Sequence, residues 1–276
     1  MGRRVMTAPR FGEQRLSRPD LGRAHRALYR LMGVGEPAHY LHHLYLKRAL
    51  DSLGPAFKPL TIFDAGCGSG DHAFYLARRY PLALVLGIDV DRALIERNRE
   101  TANRLGLGNV TFSVASVEDR ISGIFDFIVS IDVLEHLHHQ EAALRNLHDA
   151  LAHGGRAFFH VPTVRPRPVP FSRWLHDFHE WTHEEHVADD LTAEQFEAVT
   201  ARAGFEVLRT WRTFGYWTGE LATSLFALPY RNTPRNRVAQ GLLAPACRML
   251  ALLDPILRDD TRYAAGVLAS ATRTLM

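Results

Sequence analysis

Apolar and polar residues follow two different periods along the chain, and the period changes near residue 57. Before that point, residues 20–33 and 39–54 repeat apolar positions every three or four residues, the period of an amphipathic α-helix. From residue 59 to residue 163, short continuous apolar runs alternate with helical patterns. Strands and helices that alternate in this way predict a parallel sheet with right-handed crossovers and helices on both faces.

The same pattern gives bounds for each element. Residues 215–262, between the last two strands, are mostly helical and apolar in pattern and form an insertion. Thr192 and Gln195 have the spacing of a capping box before a helix. The predicted strands cover residues 59–66, 82–90, 109–116, 125–132, 156–163, 205–214 and 263–273, and the predicted helices 71–80, 91–106, 139–155 and 191–204.

The composition is that of a soluble globular protein. Of the 276 residues, 46% are hydrophobic and 23% are charged, and the formal net charge is +3. So small a charge excludes a dedicated nucleic-acid binder. The two cysteines, Cys67 and Cys247, cannot build a disulfide framework, and the basic N-terminus lacks the apolar core of a secretory signal. No apolar run has the length of a membrane-spanning helix, so we expect a cytoplasmic protein.

Three glycines follow the first predicted strand. Gly66, Gly68 and Gly70 stand in the segment DAGCGSG, directly before a helical pattern, where glycine lets the backbone approach a ligand closely. In a dinucleotide-binding G-x-G-x-x-G loop the third glycine would stand at Asp71. Carboxylates at Asp64 and Asp71 would repel a pyrophosphate. The loop therefore suits a ligand that carries positive charge and no phosphate.

Three segments within residues 60–162 resemble the class I S-adenosylmethionine-dependent methyltransferases. They are DAGCGSG at 64–70, GIDVD at 87–91 and FDFIVSIDVLEHL at 125–137. The resemblance implies S-adenosylmethionine, which carries a sulfonium and an ammonium, as the cofactor. It also implies a Rossmann-like α/β fold with a seven-stranded, mostly parallel sheet whose last strand is antiparallel and whose two faces are covered by helices.

The resemblance further implies which residues bind the cofactor. Asp64, Gly66 and Gly68 would surround the methionine part, and Asp89 would bind the ribose hydroxyls. Where the family commonly has an acid for the adenine amino group, this chain has Ser116, which is a departure from the pattern. The cofactor-binding residues expected are Asp64, Gly66, Cys67, Gly68, Gly70, Asp89, Val90, Ser116, Val117, Ile131, Asp132 and Val133.

Histidines are the candidate general bases for methyl transfer to an acidic acceptor. His179, His183 and His186 have the spacing of one helix face within a histidine-rich segment, which could instead be a substrate-lining loop, a solvated segment or a metal cluster. We predict His179, His183 and His136 as catalytic residues. Asp132, Glu135 and His136 also resemble the metal-binding acid-x-x-Glu-His of ubiquinone-biosynthesis O-methyltransferases, but we expect no bound metal.

Candidate substrate residues lie outside the central strands. The segment AHYLHHLYLKR offers Tyr40, His42, His43 and Tyr45, which would line a pocket or form a helix surface. We predict Tyr40, His43, His186 and Tyr216 as substrate-binding. The expected organisation is an arm with N-terminal helices (1–56), a cofactor-binding domain (57–214 with 263–276) and a helical insertion (215–262) that would form a substrate lid, a homodimer face or a peripheral membrane surface.

The function predicted is methyl transfer from S-adenosylmethionine to a small-molecule acceptor, such as a secondary metabolite, a lipid-like molecule or a sugar-linked one. One alternative is other chemistry on the same fold, such as a cyclisation that releases methylthioadenosine. A second alternative is a catalytically silent protein that binds the cofactor or a membrane surface. A nicotinamide-dependent oxidoreductase is a third alternative.

Overall fold

A computed structural model describes residues 9–17, 22–23, 26–27, 30, 36–164, 191–227, 234–257 and 264–271, with side chains from 242 onward in the helix that starts at Pro234. In this part of the chain seven strands form one sheet in the order β3-β2-β1-β4-β5-β7-β6. The strands are β1 (Thr61–Ala65), β2 (Leu84–Asp89), β3 (Val110–Val114), β4 (Phe125–Ile131), β5 (Leu151–Pro162), β6 (Phe205–Thr213) and β7 (Ala264–Ala271).

Helices connect these strands. In chain order they are α1 (Pro37–Ser52), α2 (Asp71–Arg79), α3 (Arg92–Leu105), α4 (Gln140–Asp149), α5 (Ala193–Arg202), α6 (Leu221–Ala227) and α7 (Pro234–Leu253). Short 3-10 turns occupy Glu13–Ser17 and Leu134–His136, and a π-helical turn occupies Tyr216–Glu220.

The strand directions confirm the predicted fold class. Neighbouring strands from β3 to β5 are parallel. Strand β7 lies between β5 and β6 and is antiparallel to both. The first five strands therefore present their carboxyl ends at one edge of the sheet, where open α/β sheets bind ligands.

Apolar side chains form a core on each face of the sheet. One face is covered by α1, α2 and α3, which contribute Leu46, Phe74 and Ile95 among others. The other face is covered by α4 and α5, with Leu144 and Phe196. Because both faces are buried, the strands have the continuous apolar runs seen in the sequence.

The predicted helix over 139–155 is wrong at its end. Helix α4 ends at Asp149, and β5 begins at Leu151, which pairs with Phe125 before the register shifts. The glycine pair therefore forms an irregularity inside a strand. Gly154 has a φ of 72°, and a Cβ on Gly155 would lie 2.8 Å from the carbonyl oxygen of Ala152, so both positions need glycine.

The insertion between β6 and β7 is helical, as the pattern predicts. Its described part consists of the π-helical turn, α6 and α7, and α7 continues through Pro245. No helix in the described residues is both long and apolar enough to cross a membrane. The predicted first N-terminal helix falls largely outside the described residues, as does the whole histidine-rich segment.

Candidate active site

The glycine loop joins β1 to α2 through three left-handed residues. Gly66, Gly68 and Gly70 have φ values of 77°, 49° and 75°. A Cβ on Gly66 would lie 2.3 Å from a methyl group of Val133, whereas a Cβ on Gly68 would have no atom within 4 Å. The loop is thus packed tightly against the end of β4 at Gly66 and open at Gly68.

Asp64 lies at the end of β1 and is 3% exposed. Burial raises the pKa of its carboxyl to about 7, although a hydrogen bond from the backbone N–H of Ala73 opposes this shift. Among the described residues, nothing donates a hydrogen bond to its Oδ2 atom. A buried carboxylate oxygen without a donor fits an ammonium or another N–H group of a ligand.

Asp89 is held at the end of β2 by two backbone N–H groups. Gly68 donates to its Oδ2 at 2.8 Å and Asp91 donates to its Oδ1 at 2.9 Å. The cap of α3 is Asp91, which accepts from Ala93 and Leu94. Asp89 is therefore not the helix cap, and its carboxylate is oriented by the same loop that would hold the cofactor.

Asn98 on α3 also supports the loop, and no pattern in the sequence indicated this role. Its side-chain amide donates to the carbonyl oxygen of Gly68 at 2.8 Å and lies 4.0 Å from the sulfur of Cys67. Burial raises the pKa of the Cys67 thiol far above its usual range. Cys67 is thus a neutral structural residue of the loop and not a nucleophile.

Asp71, the first residue of α2, fixes the N-terminal segment to the loop. Arg15 donates to both of its oxygens, with an Nε–Oδ1 distance of 3.0 Å, and Gln14 also donates to Oδ1. Burial raises the pKa of Asp71, but the nearby His39 and Arg15 hold it below its usual range. Asp71, whose carboxylate was expected to repel a pyrophosphate, is therefore bound by the N-terminal segment of the same chain.

Asp132, directly after β4, lies between two histidines. The Nε2 atom of His42 lies 3.1 Å from its Oδ2, and the Nδ1 atom of His160 lies 2.8 Å from its Oδ1. The backbone of Asp132 is left-handed, with a φ of 52°. Burial raises the pKa of Asp132, but His42 and His160 hold it well below its usual range, so it is ionised.

From the sequence, His42 was one of several residues on α1 that would line a pocket or form a helix surface, and no role was predicted for His160. His160 lies within β5 and reads as part of an apolar strand, and His42 is one of several polar residues on α1. The packing of α1 brings His42 to Asp132, whereas the pairing of β4 with β5 brings His160 there.

The other predicted residues lie in different surroundings. His43 stacks on Phe11 with ring centres 4.2 Å apart, and burial lowers its pKa to about 3, helped by the charges of Lys47 and Arg79. The Ser116 hydroxyl accepts from the backbone N–H of Glu118.

Some predicted residues are exposed or lie at the edge of the site. Val90 is 70% exposed and Val117 is buried in the core next to α4. The ring of Tyr40 lies under the guanidinium of Arg248, 4.2 Å away. The ring of Tyr216 packs on that of Trp217. The Nε2 atom of His136 lies 3.9 Å from the Oε1 atom of Glu135. His179, His183 and His186 lie outside the described residues.

The strand order with its reversed β7, together with a glycine loop flanked by Asp64 and Asp89, defines the class I S-adenosylmethionine-dependent methyltransferase fold. More particularly, the chain belongs to the family described as "Methyltransferase domain", whose model matches residues 38–210. The match covers α1 from its second residue, the glycine loop, strands β1 to β5 and the first six residues of β6.

Named relatives share parts of this domain. The chain is 32% identical over 115 residues to trans-aconitate 2-methyltransferase from Deinococcus radiodurans, a match that covers 42% of this chain and 43% of that protein. It is 28% identical over 168 residues to malonyl-[acyl-carrier protein] O-methyltransferase from Paenibacillus sp., covering 57% and 59%. The chain thus spans about half the length of these relatives.

A solved structure with the same fold is phosphoethanolamine N-methyltransferase 2 from Haemonchus contortus in complex with S-adenosyl-L-methionine. Its TM-score is 0.62 at 17% sequence identity, and the match covers 94% of this chain and 59% of that one. At this level of identity the likeness extends to the fold alone.

Proposed function

We propose that the protein transfers the methyl group of S-adenosylmethionine to an oxygen, nitrogen or carbon atom of a small molecule. The observation that carries the proposal is the acid-flanked glycine loop, in which Asp64 is buried with an oxygen that accepts no hydrogen bond from the described residues. A ligand with an ammonium group satisfies that oxygen, and a phosphate ligand does not.

The residues present fit this cofactor. Asp89 offers a carboxylate already oriented by Gly68 and Asp91, and each of its oxygens has a further lone pair for a ribose hydroxyl. The space beside Gly68 would admit the ligand next to the loop. When bound, S-adenosylmethionine supplies a methyl group on a sulfonium that is already activated for attack.

The protein's contribution is then to position the acceptor and to exclude water. Positioning alone is worth about 7–11 kcal/mol of the barrier when the reacting atoms are aligned. Val133 packs on Gly66, so Asp132, the residue before Val133, lies on the Gly66 side of the glycine loop. We place the acceptor beside Asp132, His42 and His160, and we propose that the base lies in this group rather than at His136.

The insertion supplies a wall of the acceptor site in this proposal. Asp254, after α7, accepts a hydrogen bond from the hydroxyl of Tyr45, and α1 carries both Tyr45 and His42. Because α1 carries His42 and also contacts the insertion through Tyr45, a ligand that moves α1 would also move the insertion. Residues 215–262 therefore act as the substrate lid, and 57–214 with 263–276 bind the cofactor.

The two curated relatives described above are named for different acceptor molecules. One is named for trans-aconitate, and another for malonyl-[acyl-carrier protein] and an O-methyl product. Both names concern acids, so carboxylates are the first acceptors to screen.

Calorimetric titration of the full chain with S-adenosylmethionine and S-adenosylhomocysteine tests the cofactor. We expect binding of micromolar order to the wild type and a dissociation constant at least about tenfold higher, or ~1.4 kcal/mol, in Asp89→Ala. Glu100→Ala, an exposed acid on α3, is the matched control and should bind like the wild type. Folded protein that binds neither ligand contradicts the proposal.

Product analysis then tests the reaction. Incubation with S-adenosylmethionine and a panel of small acceptors should yield S-adenosylhomocysteine and a product heavier by one methylene. Release of methylthioadenosine would identify the alternative chemistry.

A further inference from the structure

Three metal-ligating side chains converge at the carboxyl ends of the central strands. His42 comes from α1, Asp132 from the end of β4 and His160 from β5, and one ligand atom from each lies within 4.8 Å of the other two. In the described residues, this is the group of histidine, cysteine and acidic side chains arranged to hold a metal ion. Three separate elements therefore place their donors around one point.

The geometry of the group matches a metal site with free positions. The separations of 3.1 Å and 2.8 Å between Asp132 and the two imidazoles are close to the ~3.3 Å between neighbouring ligands of a tetrahedral zinc ion. His42 and His160 have side chains 7% and 1% exposed, whereas the Asp132 side chain is 38% exposed. The group is thus closed on the histidine side and open at the carboxylate.

A second layer of contacts orients the histidines. The Nε2 atom of His160 lies 2.9 Å from the hydroxyl of Thr213, which is fully buried. A hydroxyl both donates and accepts, so Thr213 suits either tautomer of the ring. The ring of Phe214 lies against both His42 and His160. Metal-binding histidines commonly have such a partner on the second nitrogen.

The backbone also holds Asp132 in an unusual conformation. Its φ of 52° lies in the left-handed region, which few residues other than glycine adopt. The backbone N–H of Asp132 donates to the carbonyl oxygen of His160, which fixes this turn. Such conformations concentrate at functional sites, where they aim a side chain.

We propose that His42 Nε2, the Asp132 carboxylate and His160 Nδ1 bind one divalent first-row transition-metal ion, with Zn²⁺ as the reference ion. A set of two imidazoles and one carboxylate favours such ions over Mg²⁺ or Ca²⁺. Each histidine binds through a nitrogen lone pair, and the proton that this nitrogen now directs at Asp132 is released to solvent or moves to the other ring nitrogen.

Three protein ligands leave at least one position for another molecule, as in catalytic zinc sites. In this chain that position faces the open side of Asp132, where we place the acceptor. An acceptor hydroxyl or carboxylate bound there would be held near the transferred methyl, and a hydroxyl would lose its proton more readily. This use of the ion rests on the proposed function, whereas the binding of the ion does not.

The sequence favoured a site without metal, and its alternative ligands were Asp132, Glu135 and His136. The two sets of metal ligands share only Asp132, so substitutions at the other residues distinguish them. The histidine-rich segment at 176–186 is a further competing position for an ion. A useful experiment must distinguish all three.

The test is titration of metal-free full-length protein with Zn²⁺ by calorimetry and with Co²⁺ by visible absorption, in the absence of S-adenosylmethionine. We expect one ion per chain at this site and an absorption spectrum typical of nitrogen and oxygen ligands. Asp132→Asn and His42→Gln should each weaken binding at least about tenfold, and Thr213→Val by about 10–100-fold. His153→Gln, an exposed histidine, and Glu135→Gln should leave binding unchanged.

Circular dichroism and thermal unfolding of the metal-free variants establish that they fold. Wild-type protein that binds no ion, or an ion whose affinity is the same in folded Asp132→Asn and His42→Gln, overturns the proposal. Weakening by Glu135→Gln but not by His42→Gln would assign the ion to the other set and also overturn it. Failure of S-adenosylmethionine to bind would refute the proposed function and leave these metal titrations unaffected.

Discussion

Asp64 is an acid whose charge is controlled by what lies next to it. In the ligand-free protein its pKa is raised to about 7 by burial, whereas an aspartate in an unfolded chain titrates near ~3.9. The folded state therefore holds one more proton than the unfolded state between these values. As pH rises from about 4 to about 7, this group makes the free energy of unfolding fall.

We expect a cationic cofactor to reverse that shift. An ammonium beside Asp64 favours the ionised carboxylate, so binding of S-adenosylmethionine should release a proton near neutral pH and strengthen from about pH 6 to about pH 8. Calorimetry in two buffers of different ionisation enthalpy measures the proton count. Asp64→Asn should remove the proton release, and an unchanged count in that variant would contradict the assignment.

Gly66 is required at its position for two separate reasons. Its φ of 77° costs about 1–2 kcal/mol for a residue with a Cβ, and the Cβ would meet Val133 at 2.3 Å. Gly66→Ala should therefore reduce the free energy of unfolding by about 2–4 kcal/mol in urea titrations. Gly108→Ala, where a Cβ meets no atom within 4 Å, is the control.

The double variant Gly66→Ala with Val133→Ala separates the two reasons. It removes the clash but keeps the strained backbone, so Gly66→Ala should cost less when Val133 is already alanine. Equal costs in both backgrounds would show that the contact with Val133 is unimportant.

At the scale of elements, a single buried carboxylate joins three segments. Asp254 is fully buried and accepts from the backbone N–H of Gly215 at 2.6 Å, from the hydroxyl of Thr218 at 2.7 Å and from the hydroxyl of Tyr45. The end of α7, the π-helical turn and α1 thus share one hydrogen-bonded centre. The insertion is tied to the domain by polar contacts as well as by packing.

Removal of that carboxylate should loosen the insertion. Asp254→Ala leaves several buried donors without an acceptor, each at a cost of about 1–3 kcal/mol, and we expect a total loss of about 3–5 kcal/mol of stability. Tyr45→Phe removes one donor and should cost about 1 kcal/mol. Limited proteolysis should cut Asp254→Ala first within residues 216–253.

Asp119→Ala, an exposed aspartate, is the control for that experiment and should change stability by no more than about 0.5 kcal/mol. If Asp254→Ala unfolds and is cleaved like the wild type, Asp254 does not anchor the insertion.

At the scale of the whole molecule, the succession of strands and helices along the chain was predictable because each strand is a short apolar run between helical patterns. The end of α4 was not, because Gly154 and Gly155 mark a helix end in sequence as readily as a bulge in β5. That Asp89 lies beside the glycine loop could be predicted, because both belong to motifs of the resembled family and are close in the chain. The meeting of His42 with His160 could not be predicted, because residues 118 positions apart meet only after α1 packs across the sheet.

The position of β7 has a consequence for how the protein is made. Strand β6 contacts the rest of the sheet through β7, and β7 is synthesised about fifty residues after β6. During translation, β1 to β5 can pair with one another as they leave the ribosome, while β6 must wait with an unpaired edge. The cofactor loop and the five strands around it are therefore synthesised well before the sheet can be completed by β7 and β6.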